Sequence, residues 1–367
     1  MYQSKLIVFV AFFLIIVSCS NIQKKSPEEQ INATKEMVSK IKTDVDPDFV
    51  YEFEKTKFVP PAGKTLLIMG QTVESIKEYK RSFPDEVNPA GWSAYWAITE
   101  FKGVTEFHTN ITGSSQNHQM IVDKFPNSVL HSAMWMVGKW NVAKNTANGV
   151  YDSVLKQYSD WVKTIDRPVY LRIGYEFDGP HNELEPNEFV EAYKYIVDYM
   201  RSKDVDNVAF VWHSYASVPY KNYAVSDWYP GDDYVDWIGI SIFSHAYSKA
   251  GINTEGNTVL NFAKQHKKPV MIAETNPVFG IGKKDTKVWD NWFVNFFSLV
   301  YEKNIKAICF INEDWRRINI EGLSDWKDAR LYNNEQISNA WFLETSKDRY
   351  LKQSPDLFNQ LGYRSND

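Results

Sequence analysis

Cysteine is nearly missing from this chain. Only two of its 367 residues are cysteine, Cys19 and Cys309, too few for a disulfide framework or a thiolate metal site. The seven histidines are scattered without metal-ligand spacing, so no catalytic zinc is expected. Charge of one sign is scarce too. The net charge is −5 with no long basic run, which argues against nucleic acid as a partner. No Gly-x-Gly-x-x-Gly turn follows the first strand-like segment, as a doubly wound dinucleotide fold would require. Internal repeats and low-complexity tracts are absent, and no apolar run reaches the roughly 20 residues that a membrane span needs.

What the chain has in quantity is aromatic side chains, at 15% with 13 Trp and 21 Tyr. Such rings fill cores, and those at strand ends can stack on the apolar faces of sugar rings. The N-terminus reads as a targeting segment. Lys5 precedes the apolar run Leu6–Val17, followed by Ile16-Val17-Ser18-Cys19-Ser20, which resembles a bacterial lipobox. Residues 1–18 are therefore expected to be a lipoprotein signal peptide. Cys19 is the expected lipidation site, and residues 19–48 a polar tether with one or two helical turns. An uncleaved anchor or an ordinary signal peptide is the alternative, and each implies export. The expected location is the cell envelope, with membrane contact through the lipid only and a monomeric body. Cys309, in an apolar run, reads as a buried small hydrophobe.

Residues 49–367 alternate strand-like and helix-like segments, the signal of parallel α/β architecture. Eight candidate strands appear: Thr65–Met69, Ala94–Ile98, Val129–Met134, Val169–Ile173, Val208–Trp212, Trp237–Ile242, Val270–Ala273 and Ala307–Ile311. Between them lie amphipathic segments such as Gly149–Lys163, Glu188–Arg201 and Lys287–Lys303. Eight such units in about 300 residues predict a (β/α)8 TIM barrel.

Two of these strands end in glutamate. Tyr170-Leu171-Arg172-Ile173 runs into Gly174-Tyr175-Glu176-Phe177-Asp178-Gly179-Pro180, and Val270-Met271-Ile272-Ala273 into Glu274-Thr275-Asn276-Pro277. Barrel enzymes keep their chemistry at the C-terminal strand ends. Two carboxyl groups across one mouth suit glycosidic bond cleavage, one as acid/base and one as nucleophile. Each glutamate taken alone could equally cap a turn or pair with an arginine. Arg172, four residues before Glu176, could keep a carboxylate ionised.

The arrangement resembles retaining barrel glycosidases that carry the acid/base after strand 4 and the nucleophile after strand 7. Within that clan the chain is most similar to glycoside hydrolase family 26. Gly70-Gln71 follows strand 1, where the family often has Gly-x-Gln, and Arg172 through Gly179 matches its Arg-x-x-His-Glu-Met-Asn-Gly. The run from Trp228 to Gly239 matches its approach to strand 6, and Lys268-Pro269 through Glu274 its strand 7. The likeness spans roughly residues 60–320. It implies Glu176 as acid/base, Glu274 as nucleophile and no cofactor. The expected substrate is a β-linked glycan, in the manner of the family's β-mannanases, β-1,3-xylanases and β-glucanases.

There are departures. Tyr175 replaces the family's His and Asp178 its Asn, and Phe243 stands where the family has a Tyr that hydrogen-bonds the nucleophile. His245 or Tyr247 is the candidate substitute for that hydroxyl. Arg172, Tyr175, Asp178, Trp135, His131, Trp212, His213, His245 and Trp315 are the substrate-binding candidates. Trp92, Trp96, Trp135, Trp140, Trp228 and Trp315 suggest an extended cleft and endo action. The rival reading is a catalytically silent barrel that binds glycan at the cell surface.

Overall fold

The computed structural model describes residues 26–363 apart from 85–86, 249–251, 321 and 324. The expected signal peptide and Cys19 lie outside the described residues.

Eight parallel strands close into a barrel. They are β1 (Thr65–Gly70), β2 (Gly91–Ala97), β3 (Val129–Trp135), β4 (Val169–Ile173), β5 (Val208–Ser214), β6 (Trp237–Ile242), β7 (Val270–Thr275) and β8 (Ala307–Ile311). Each pairs with the next, and β8 returns to β1 with Leu66 opposite Ala307 and Gly70 opposite Ile311. Closure removes every sheet edge, and the near-continuous apolar strands are buried on both faces. Of the expected strands only the second is displaced: it begins at Gly91 rather than Ala94, and pairs along its whole length with β3.

Side chains alternate between the lumen and the helical layer. On β4, Tyr170 joins Leu66, Trp237 and Met271 in the lumen, while Leu171 and Ile173 join the outer core. The outer core rests on amphipathic helices such as α5 (Asp152–Thr164) and α6 (Pro186–Ser202). In α6, Phe189, Tyr193, Ile196, Val197 and Met200 repeat at helical spacing and are all fully buried. The bottom of the lumen is sealed by Phe58, Leu357, Leu361 and Tyr363, with the Tyr170 hydroxyl donating to the Phe58 carbonyl at 2.6 Å.

Residues 27–39, within the stretch read as a tether, form a longer helix than one or two turns. This helix, α1 (Pro27–Ser39), starts on a Ser26/Glu29 capping box with Pro27 in its first turn. Met37 and Val38 are buried, and the Met37 carbonyl accepts from the Trp289 indole at 2.8 Å. Lys40, just past the helix, pairs with Asp290 at 2.9 Å. No helix among the described residues is long and apolar enough to cross a membrane.

Candidate active site

The C-terminal mouth of the barrel is polar, and local backbone irregularity aims its two glutamates. On β7 the register against β6 passes from Ile240–Ile272 to Ser241–Glu274, and against β8 from Ile308–Ile272 to Phe310–Thr275. One extra residue is thus accommodated on β7, a bulge of the kind that re-aims side chains beside active sites. Ala273 already faces the lumen, so strict alternation would turn Glu274 outward. The bulge restores it to the lumen side.

On β4 the chain leaves the strand through Gly174 and Glu176, both in the left-handed region (φ 54° and 53°). Gly174 is required there, because a Cβ would meet Phe189 and Met136 at 3.0–3.1 Å. For glutamate that backbone costs on the order of 1–2 kcal/mol, and the turn is clamped. The Asn182 amide donates to the carbonyls of Tyr175 (2.8 Å) and Glu176 (2.9 Å), and the Gly179 N–H donates to the Glu176 carbonyl. Phe177 is thereby turned into the core, stacked on Trp212 at 4.4 Å.

Glu274 is buried, and its Oε1 accepts from Arg172 Nη1 at 2.5 Å and from the Tyr95 hydroxyl at 2.6 Å. Burial pushes its carboxyl up from the ordinary range, while Arg172 and Tyr95 pull it down. Arg172 is itself fully buried. Burial works against its charge, yet the oxygens of Tyr95 and Glu274 outweigh this and raise its pKa. A buried guanidinium needs its counter-charge, so the two groups persist as an ion pair. Its cation also lies over the rings of Tyr95 (4.9 Å) and Tyr175 (5.4 Å), which meet edge to face. Both donors converge on Oε1.

Glu176 is buried to 8% exposure. Its Oε1 accepts from the Ser241 hydroxyl at 2.5 Å, and Oε2 lies 3.0 Å from His181 Nε2. Ser241 in turn meets His213 Nε2 at 3.0 Å, and His213 Nδ1 lies 3.3 Å from Arg172 Nη1. The two carboxyl groups therefore terminate one unbroken chain of hydrogen bonds. His181 is exposed and folds back over Glu176 because Gly179 has no Cβ, which would sit 2.4 Å from the imidazole. Burial lowers the His181 pKa, but its bond to Glu176 outweighs this and raises it.

The remaining candidates divide by position. His213 belongs to the hydrogen-bond chain; burial, then Arg172, hold it neutral. His131 is sealed in the lumen under the site, its Nδ1 3.2 Å from the Ser93 hydroxyl. Trp135 is half-buried, 6.4 Å from the exposed Trp140. Trp315 packs edge to face on Trp326, which also meets Phe243.

Two candidates do not face the cleft. Trp212 is fully buried on the outer side of β5, stacked on Phe177 and donating to the Trp228 carbonyl. Asp178 is buried at 3% exposure, and its carboxylate accepts from the Ser214 hydroxyl and the Tyr215 N–H, each at 2.6 Å. Burial raises its pKa to about 6 against those two bonds. Trp92, Trp96 and Trp228 are core residues as well, so the aromatic lining is narrower than the sequence suggested.

His245 does not replace the missing tyrosine, since its ring bonds the Ala216 carbonyl and the Phe243 N–H. Tyr247 packs on Phe279. The hydroxyl on the nucleophile comes instead from Tyr95 of β2, across the barrel. Tyr95, His181 and Ser241 are the functional side chains that the sequence reading missed. Tyr95 lay in the displaced strand, where correct alternation would have pointed it inward beside Ser93. Among the described residues no group of three or more His, Cys, Asp or Glu is placed to hold a metal.

Chemically the arrangement suits double displacement. In that chemistry Glu274 Oε2 would attack the anomeric carbon while Glu176 would protonate the departing glycosidic oxygen. Glu176 would then take a proton from the water that cleaves the ester. A closed (β/α)8 barrel with this pair at its mouth defines a retaining, endo-acting glycoside hydrolase. The comparisons agree. A profile described as Glycosyl hydrolase family 26 matches residues 141–309. The chain is 28% identical over 338 residues to the beta-1,3-xylanase TXYA of a Vibrio species, covering 85% of this chain and 71% of that one. It is 27% identical to a beta-1,3-xylanase of an Alcaligenes species, covering 84% and 68%. The fold is shared with a GH26 β-mannanase from Bacteroides ovatus (TM-score 0.56, 15% identity, covering 91% of this chain and 98% of that one). This protein is a divergent, family 26-like glycoside hydrolase. With both carboxylates present and held, a silent binding barrel is not favoured.

Proposed function

We propose that the substrate is a β-1,3-linked xylan, cut internally. The observation that carries this reading is the similarity, over more than four-fifths of the chain, to two β-1,3-xylanases. Two features of the mouth support it. Phe243, Trp315 and Trp326 form an apolar cluster in the segments that follow the strands flanking β7, which offers little to a sugar's exocyclic hydroxymethyl and suits a pentose. Where the family pattern has a His and a strand-6 Tyr, this chain has Tyr175 and Phe243 and supplies the hydroxyl from Tyr95. Candidate sugar contacts are Tyr175, Trp135 and Trp315 at the rim, with His181 beside the leaving group.

The test is product analysis on β-1,3-xylan, β-1,4-xylan, β-mannan and β-glucans. A ladder of oligosaccharides from β-1,3-xylan alone supports the reading. Release from β-mannan with none from β-1,3-xylan overturns it.

We further propose export as a lipoprotein acylated on Cys19, on the strength of the lipobox-like run, with the body acting as a monomer in the cell envelope. Labelling with a fatty-acid analogue, lost on Cys19→Ala, tests the anchor.

A further inference from the structure

The hydrogen-bond chain between the two glutamates has a direction, and the direction has a catalytic consequence. A guanidinium carries donors only. Arg172 Nη1, 3.3 Å from His213 Nδ1, must therefore donate, and Nδ1 must be without a proton. His213 is fully buried on the lumen side of β5 and neutral, so its one proton sits on Nε2 and points at the Ser241 hydroxyl oxygen 3.0 Å away. Having accepted that bond, Ser241 spends its own proton on Glu176 Oε1 at 2.5 Å. Oε1 thus accepts a hydrogen bond whether Glu176 is ionised or not.

We infer that His213 and Ser241 are positioning residues that force the acid proton of Glu176 onto Oε2, the oxygen facing His181 and the open mouth. The polarity is set at the far end by the buried Arg172, which can only donate, and which also holds Glu274. The Ser241 Cα is also the register partner of Glu274, which ties both carboxyl groups to one rigid strand pair. In the glycosylation step the Oε2–H bond breaks as the proton passes to the glycosidic oxygen. The electron pair of the C1–O bond leaves with the aglycone, and Glu274 Oε2 forms the new bond to C1. Without Ser241 the proton would divide between two oxygens, and one of them points away from the leaving group.

Two measurements decide this. Imidazole 15N NMR on the wild-type protein reads the tautomer directly and needs no substrate. His213 with the proton on Nε2 is expected; a proton on Nδ1, or an imidazolium at neutral pH, overturns the inference. The second compares kcat/KM for aryl glycosides of graded leaving-group ability, and it rests on the proposed xylan reading. Ser241→Ala should lose about 10²-fold on poor leaving groups, the scale of general-acid help. It should lose far less on nitrophenolates that need no proton, so the dependence on leaving-group pKa steepens. Ser241→Thr, which keeps the hydroxyl, should restore the wild-type slope. A parallel loss across the series would mean a merely structural serine and would overturn the inference. If wild type cleaves another β-glycan, the series is built on that sugar: the substrate reading then fails while this comparison stands.

Discussion

Tyr95 shows how a single side chain compensates for a lost one. The strand-6 position that usually supplies a hydroxyl to the nucleophile is Phe243 here, and the Tyr95 hydroxyl reaches the same oxygen from β2 at 2.6 Å. A hydrogen bond to a charged group contributes roughly 1.5–3 kcal/mol. Tyr95→Phe should therefore lower kcat/KM by about 10- to 100-fold with the far-UV CD unchanged; full activity in that variant would remove Tyr95 from the site. His181 titrates visibly. Its pKa is raised by Glu176 although burial lowers it, so the contact is strongest below the ordinary histidine pKa of about 6.5 and is lost as pH rises through the raised value. An NMR titration should place His181 above that ordinary value in the wild type and bring it down in Glu176→Gln, where the hydrogen bond and charge of Glu176 are gone while burial remains. No change on that substitution would mean that the contact is not electrostatic.

Elements differ in how far they could be read in advance. Strands β4, β6 and β8 run as expected because each is an apolar run bounded by turn residues, and both glutamates stand at strand ends for the same reason. The bulge on β7 has no such signature, since Ala273-Glu274-Thr275 looks like any strand end. It appears only in pairing with β6 and β8. The start of β2 was obscured because Gly91 and Trp92 continue directly from the turn at Asn88-Pro89. Asp178 and Trp212 looked like cleft residues by position, but the turn after Glu176 carries Asp178 inward and strand alternation puts Trp212 on the outer side of β5. The N-terminal helix α1 was hidden in a polar stretch whose few apolar residues, Met37 and Val38, are the ones that dock. Removing residues 26–39 would expose them and strip the Trp289 indole of its acceptor. The combined cost is roughly 3–6 kcal/mol, enough to lower Tm by about 5 °C. An unchanged melting curve would show that α1 does no more than tether.

At the scale of the whole molecule, closure of the barrel brings together groups that the sequence scatters. Tyr95 comes from β2, Arg172 and Glu176 from β4 and the turn after it, His213 from β5, Ser241 from β6 and Glu274 from β7, and no single linear motif joins them. The fold and the placement of the two glutamates at one mouth were legible because strand rhythm and strand-end carboxylates are local properties. The network that orients the pair was not, because it runs across strands. A rigid, fully paired scaffold lets a buried ion pair and a strained acid/base turn persist side by side.

The central claim is that Glu274 forms the glycosyl ester and Glu176 is its acid and base. The decisive measurement is turnover of an activated aryl glycoside of the cleaved sugar by Glu176→Ala with and without azide, beside Glu274→Ala. Azide should restore turnover in Glu176→Ala and yield the β-glycosyl azide, with retained configuration, while Glu274→Ala is inactive unaided and any azide adduct it forms has the inverted, α configuration. An α-glycosyl azide from Glu176→Ala, a β-glycosyl azide from Glu274→Ala, or undiminished hydrolysis by either variant, would contradict the assignment.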